Sequence, residues 1–362
     1  MSLIATVLER RVWIDRGFYN LYPNLYIVLV AESALARKST AIVDIAFALL
    51  KSCPRLVEEV NFASDKLTAQ ALISELRDQY KKSGVSAAYL VADELAMLLR
   101  ADAIGGELIN VLTRSYSCAE TCDYHTISRG KEICRNVCIN FLGGTTPEWI
   151  KDSFPKYAIA GGFAGRIVFV PDPGVYKKIP DPFLPKKEWE VLKRDLTTMR
   201  DLEGEVKLSG EARQWYNSWY VDVYNPDDGN EMIRGYQGRR HDTLLKLAMI
   251  LNFSRRELPV IEEEDLINGL RLLTANERKL SGIMEKIEAT QSGEDTNKVV
   301  RGIKRGMDRG NGWMAHSDLL RHVSYFLTAR GLADLMEGMV GSGVVEKKME
   351  GSKVWVRVKK DD

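Results

Sequence analysis

Four short, largely apolar runs constrain this chain more than any other feature: LYIVLVA (25–31), AAYLVA at the head of 87–95, ICRNVCINFL within 133–146 and IVFVP within 166–171. Runs of this length, rich in branched side chains, read as strands buried on both faces. The stretches around them have helical spacing: TAIVDIAFALLKSC after the first run, 68–82 before the second and 107–116 before the third. Strands alternating with helices predict an α/β domain with a mostly parallel sheet over residues 21–175.

Composition narrows the class further. No apolar run approaches the roughly 20 residues that span a bilayer. The first twenty residues carry charges throughout and lack an apolar h-region. No membrane partner and no signal peptide are therefore expected, and a cytoplasmic location is. Five cysteines in 362 residues do not suggest a disulfide framework. The net charge is +1, so any contact with nucleic acid must come from local basic surfaces.

Outside the sheet domain, residues 1–20 read as an N-terminal helix and connector, and 176–296 as a helical region. That region is entered through the proline-rich PDPGVYKKIPDPFLP (171–185) and left through a soft hinge, QSGEDTN (291–297). Helical spacing at 299–309, 317–327 and 331–341 precedes VVEKKMEGSKVWVRVKK, whose alternation on both sides of Glu350-Gly351-Ser352 signals a hairpin. Three helices and a hairpin over 297–362 match a winged-helix DNA-binding domain. From Lys298 to the end there are thirteen Lys/Arg against eight Asp/Glu. Lys347, Lys348, Lys353 and Arg357 concentrate on the expected wing, where they suit DNA phosphates. Winged helices also serve as protein-docking modules, and that alternative stays open.

The first apolar run leads directly into Glu32-Ser33-Ala34-Leu35-Ala36-Arg37-Lys38-Ser39-Thr40 and then a helix. A phosphate-binding loop (P-loop) needs inward N–H groups, a Lys for the β/γ oxygens, a hydroxyl for Mg²⁺ and a helix N-terminus facing the anion. Lys38, Ser39 and the helix meet three of these demands, but Glu32 and Arg37 stand where G-x-x-x-x-G-K-[ST] has glycines. A surface KST before a helix is the plainer interpretation of the motif by itself. Asp93-Glu94, ending the second apolar run, fit the companion role: Asp93 to hold Mg²⁺ and Glu94 to polarise an attacking water. An acidic pair opening the helix ELAMLLR would look the same. Thr145, at the tip of the third run, is the candidate γ-phosphate sensor, while Asn140 inside that run reads as a satisfied buried amide. Arg166 is either an arginine finger for a neighbouring subunit or a structural arginine paired with a surface carboxylate.

The ordered set NLYIVLVAESALARKSTA, FASDKLTAQALISEL, AYLVADELAMLL, INFLGGTTPEWI and GGFAGRIVFV resembles the ATPase half of primase-helicase-type proteins of phages and mobile elements. The resemblance implies a RecA-like P-loop core acting as a homo-oligomeric ring, a hexamer by analogy, on single-stranded DNA. ATP and Mg²⁺ would be its cofactors and a primase, polymerase or initiator protein a further partner. It also implies the roles given above for Lys38, Ser39, Asp93, Glu94 and Arg166. Only about 20 residues precede the core, so no primase half is expected ahead of it. A replication initiator or helicase loader using ATP as an assembly switch is an alternative. A non-hydrolysing DNA-binding adaptor is another, suggested by the missing loop glycines.

Three weaker signals complete the survey. Cys118, Cys122, Cys134 and Cys138 are spaced C-x₃-C twice, whereas structural zinc sites favour C-x₂-C, so they read as apolar filler. Arg129 and Lys131, in a loop ahead of the third run, are candidate channel contacts to DNA phosphates, against a plain solvated loop. YQGRRHDT (236–243) is basic and aromatic and either touches nucleic acid or begins a helix.

Overall fold

A computed structural model describes the chain apart from residues 33–35, 64–66, 101–105, 127–129, 155–157, 159–161, 173–178, 227–234, 308–311, 325–326, 352 and 360–362. It divides into two compact units, Met1–Leu280 and Ser281–Asp362. The first is a mixed α/β unit built on a parallel sheet, as the alternation of apolar runs and helical segments predicts.

Five strands form that sheet: β1 (Tyr26–Val30), β2 (Phe62–Ala63), β3 (Ala87–Ala92), β4 (Cys138–Thr145) and β5 (Ile167–Pro171). Their spatial order is β2-β3-β4-β1-β5, and every neighbouring pair is parallel. Parallel strands need crossovers, which cover both faces of the sheet and explain the continuous apolar runs. All eight residues of β4 are buried. The helix Ala69–Ser83 supplies one crossover. Thr68 caps its start by accepting from Ala71 N, and Gly84 ends it in the left-handed region at φ 75°.

The run 133–146 is two strands, where the sequence reads as one. Asn136 adopts φ 53°, and the chain changes sheets there. Gly130–Arg135 pairs antiparallel with Thr121–Thr126 as a hairpin, while Cys138–Thr145 enters the main sheet. Buried Glu132 ties the hairpin to the helix Ala69–Ser83, accepting from Arg77 Nη1 and Gln70 Nε2 at 2.6 Å each.

Two expected boundaries also change. Residues 1–20 contain a helix, Ser2–Leu8, but also a strand, Val12–Asp15, which pairs with Asn20–Leu21 and, across the chain, with Gly204–Glu205. The region 176–296 divides at Leu280 between the two units, and in the first Leu196, Ala212, Trp219, Leu245 and Met249 share one core with Ile27, Ile42 and Tyr89. Buried Arg200 ties these pieces together, donating to Val7 O at 3.0 Å and to Glu59 Oε2 at 2.9 Å and pairing with Glu9 at 3.0 Å. Helical backbone runs from Glu263 to Met307, through the stretch 291–297 that reads as a hinge.

In the second unit, the end of that helix is followed by β6 (Met314–Ala315), the helices His316–Val323 and Ala329–Gly341, β7 (Val345–Glu350) and β8 (Lys353–Val358). The strands form an antiparallel sheet in the order β6-β8-β7. Ile303, Leu319, Val323, Leu332, Met336 and Val356 make its core. The β7–β8 turn falls where the alternation places it, with Gly351 at φ 61°. No helix among the described residues is long and apolar enough to cross a membrane.

Candidate functional site

In a parallel sheet the carboxyl ends of all strands open on one side, and that crevice is where α/β folds take ligands. Three strand ends meet there. β4 lies between β1 and β3, with Val30 opposite Thr145 and Ala92 opposite Gly143. The residue types at Gly143 and Gly144 are what permit the close approach. A Cβ on Gly144 would lie 2.6 Å from the carbonyl oxygen of Asp93 and 3.0 Å from Ile42 Cδ1. Glycine here lets the turn after β3 pack directly on β4.

Around these ends lies a cavity of about 180 Å³. Arg37, Lys38 and Ser39 line it from the loop after β1, Asp93 and Glu94 from the end of β3, and Gly144, Thr145 and Thr146 from the end of β4. Arg37 has φ 50°, a left-handed conformation that side chains other than glycine rarely take. Holding it costs about 1–3 kcal/mol. The pattern G-x-x-x-x-G-K-[ST] carries at this place a glycine, which takes such a conformation without strain. The helix that follows begins as a π-helix over Thr40–Phe47.

Lys38 Nζ folds back onto the strand end, donating to Ala31 O and, at 3.1 Å, to Glu32 O. Its partial burial lowers its pKa, against the opposing pull of the negative charges at Asp93, Glu94, Asp172 and Glu148. Two acceptors lining the same cavity have no partner among the described residues: Asp93 Oδ1 and Thr145 Oγ1 are both buried and unbonded. The neighbouring Thr146 hydroxyl is already committed, capping the helix Pro147–Ser153 by accepting from Trp149 N at 3.2 Å. An ammonium, an unbonded carboxylate oxygen and an unbonded hydroxyl facing one cavity can hold an oxyanion together with a hard cation.

The structure therefore gathers Arg37, Lys38, Ser39, Asp93, Glu94 and Thr145. Glu32 and Thr40 are exposed and do not line the cavity, and Ala36 is half-buried. Ser33, Ala34 and Leu35 lie outside the described residues. Arg166 is elsewhere. It precedes β5, whose first residue pairs with Tyr26, so it stands at the opposite end of the sheet. Its Nη1 donates to Gly162 O at 2.5 Å, and its Nε is buried without a partner among the described residues. Burial first, then the charge of Arg239, lowers its pKa. Asn140 is the satisfied amide expected of it, accepting from Leu25 N at 2.9 Å and donating to Ala5 O at 3.2 Å. Glu148 and Asp172 were not singled out from sequence, although both follow strand ends.

Of the basic residues expected to meet DNA, Arg129 lies outside the described residues, and Lys131 is the second residue of the hairpin's second strand, opposite His125. Lys347 and Lys353 are exposed on β7 and β8. Lys348 pairs with Glu350 at 2.6 Å and Arg357 with Glu346 at 2.6 Å. Both cations also lie over the Trp313 ring, at 4.5 and 4.6 Å from its centroid.

Four of the five cysteines divide into two pairs, and Cys53 lies buried apart from them in the main core. Cys122 and Cys134 are opposite one another in the hairpin, and Cys118 and Cys138 share a small apolar cluster with Tyr22 and Ala87. Among the described residues, no group of three or more His, Cys, Asp or Glu is placed to hold a metal ion. A divalent cation at the cavity would thus rest on Asp93 and Ser39, with its other ligands from water and substrate, the usual habit of Mg²⁺. No protein-family model matches this sequence, and a search of the curated proteins finds no match.

Proposed function

We propose that this chain is a DNA-associated ATPase whose nucleotide site is the cavity at the ends of β1, β3 and β4. One observation carries this: Lys38 and the acids Asp93 and Glu94, 55 residues apart in sequence, line the same small cavity beside two unbonded buried acceptors. Lys38 would leave its two carbonyl acceptors for the β/γ-phosphate oxygens, a trade of neutral for charge-assisted hydrogen bonds. Ser39 and Asp93 would hold Mg²⁺, which when bound supplies charge neutralisation on the phosphates. Glu94 orients and deprotonates the attacking water, and the Thr145 hydroxyl donates to the terminal phosphate. Arg37 adds a second positive charge at the loop. Arg166, at the far end of the sheet, has no role in its own chain's site; as an arginine finger it would serve a neighbouring copy in a ring.

A helicase-type motor on single-stranded DNA is the form of this activity that the resemblance favours. For the C-terminal unit, which has the element order of a winged helix, a specific observation favours protein docking as a second possibility. The exposed face of the helix Ala329–Gly341 carries Arg330 against Asp334 and Glu337, and two of the four wing cations are already paired with glutamates. The test is phosphate release from MgATP by the purified chain, with and without single-stranded DNA. Turnover lost in Lys38→Ala and Glu94→Gln, with ATP binding kept only in Glu94→Gln, supports the assignment. Turnover equal to the parent in both variants refutes it.

A further inference from the structure

A second cavity, of about 200 Å³, opens at the opposite, amino-terminal end of the same strands. Its lining includes Tyr22 and Asn24 from the segment leading into β1, Tyr116, and Arg239, Asp242 and Lys246 at the start of the helix Arg240–Phe253. With β1 five residues long, the two cavities stand about 17 Å apart along the strands.

Lys246 is the unusual group. It is 2% exposed, and among the described residues its ammonium donates only to neutral acceptors, Asn24 O at 3.0 Å and Asn24 Oδ1 at 2.7 Å. The Tyr116 ring lies 3.9 Å from the ammonium, whose charge reaches the Cys118 thiol in the same lining. Buried ammonium groups are ordinarily matched by a carboxylate. Among the described residues of the lining the one acid, Asp242, is held by the Tyr19 hydroxyl at 3.0 Å and lies 3.5 Å from His241 Nε2. Arg239 lines the same cavity, makes no ion pair among the described residues and adds its charge to that felt by the nearby Arg166. Lys246 and Arg239 therefore bring two positive charges to a cavity with one carboxylate, at the N-terminus of a 14-residue helix whose dipole favours an anion as well.

We propose that this cavity binds a phosphate-class oxyanion, with Lys246 and Arg239 as its charged partners and the tyrosines as its walls. The anion comes either free or as the phosphate of a nucleotide. The site is independent of the Lys38 cavity, and a failure of either leaves the other standing.

Titration calorimetry on the full chain carrying Lys38→Ala, so that the first cavity contributes no lysine, tests the proposal. Inorganic phosphate and a nucleoside monophosphate are the two titrants. Saturable binding of at least one is expected, weakened about tenfold or more by Arg239→Gln and partly restored by Arg239→Lys, since one charge-assisted hydrogen bond is removed and replaced. Tighter binding of the monophosphate assigns the nucleotide as the source; equal or tighter binding of inorganic phosphate assigns the free anion. Lys246→Met should abolish binding where circular dichroism shows it folded, and Arg239→Gln decides the matter where it is not. No saturable heat with either titrant, or the same affinity in Arg239→Gln, overturns the proposal and leaves Lys246 as a tie to the Asn24 segment only.

Discussion

Gly144→Ala probes the junction on which the candidate site is built. The added methyl would sit 2.6 Å from the backbone oxygen of Asp93, whereas ordinary contact begins at 3.4 Å, a shortfall of about 0.8 Å. The obstructing atom is main chain, so no side-chain rotation relieves it, and Ile42 Cδ1 at 3.0 Å blocks the other direction. The end of β3 must therefore move away from β4. Overpacking of this kind costs about 1–3 kcal/mol. A displacement approaching 1 Å of groups that must align for reaction lowers a rate by about 10²-fold. Urea unfolding monitored by circular dichroism measures the first effect, and phosphate release from MgATP the second. Gly338→Ala, at an exposed helical position with nothing within 4 Å of the new methyl, is the control and should stabilise by about 0.5–1 kcal/mol. A Gly144→Ala protein as stable and as active as its parent would refute the claim that close packing of Asp93 on β4 forms the site.

At Arg37, held at φ 50°, Gly should give a more stable protein than Ala by about 1 kcal/mol in the same unfolding assay; the opposite order would contradict a left-handed loop residue. His241, packed against the Tyr220 and Tyr224 rings, has a pKa lowered below 6.5, with burial as the main cause. Its folded form binds a proton less readily than its unfolded form, so the stability due to its neutral state is present above pH 6.5 and is lost as pH falls through and below it. His241→Phe should flatten that part of the stability–pH curve; an unchanged slope would exclude His241 as its source. If the second unit contacts DNA phosphates, Lys347→Ala and Lys353→Ala should each reduce the salt slope of binding by about one. Lys348→Ala, whose cation is shared with Glu350, should reduce it less. Equal effects of all three, or none, would contradict this division.

The parts of the fold legible in the sequence are those that burial alone determines. β1, β3 and β5 are short apolar runs because both faces of a parallel sheet are covered, and the helix Ala69–Ser83 announces itself through the Thr68 cap and Gly84. The hairpin escaped because Ile133 and Cys134 are apolar on one side of Asn136 and Val137 and Cys138 on the other, so two strands of different sheets read as one. The strand Val12–Asp15 pairs over half its length with residues nearly two hundred positions away, which no local pattern encodes, and over the other half with nearby Asn20–Leu21. At 291–297 the polar composition that suggests a hinge is equally compatible with the helical backbone found there. Lys38, Ser39, Asp93, Glu94 and Thr145, which line one cavity, stand out in the sequence because each lies at or after the end of an apolar run. Glu148 and Asp172 also follow strand ends, but neither sits in a motif, and their influence on Lys38 acts through space.

Calorimetric titration of the parent chain with ATP in the presence and absence of Mg²⁺, repeated with Lys38→Ala and Asp93→Asn, reaches the central claim most directly. One nucleotide per chain should bind the parent, with affinity lost in Lys38→Ala and with the Mg²⁺ dependence, not the binding itself, reduced in Asp93→Asn. Absence of heat in the parent, or equal affinity in Lys38→Ala, would mean that the cavity at the ends of β1, β3 and β4 is not a nucleotide site.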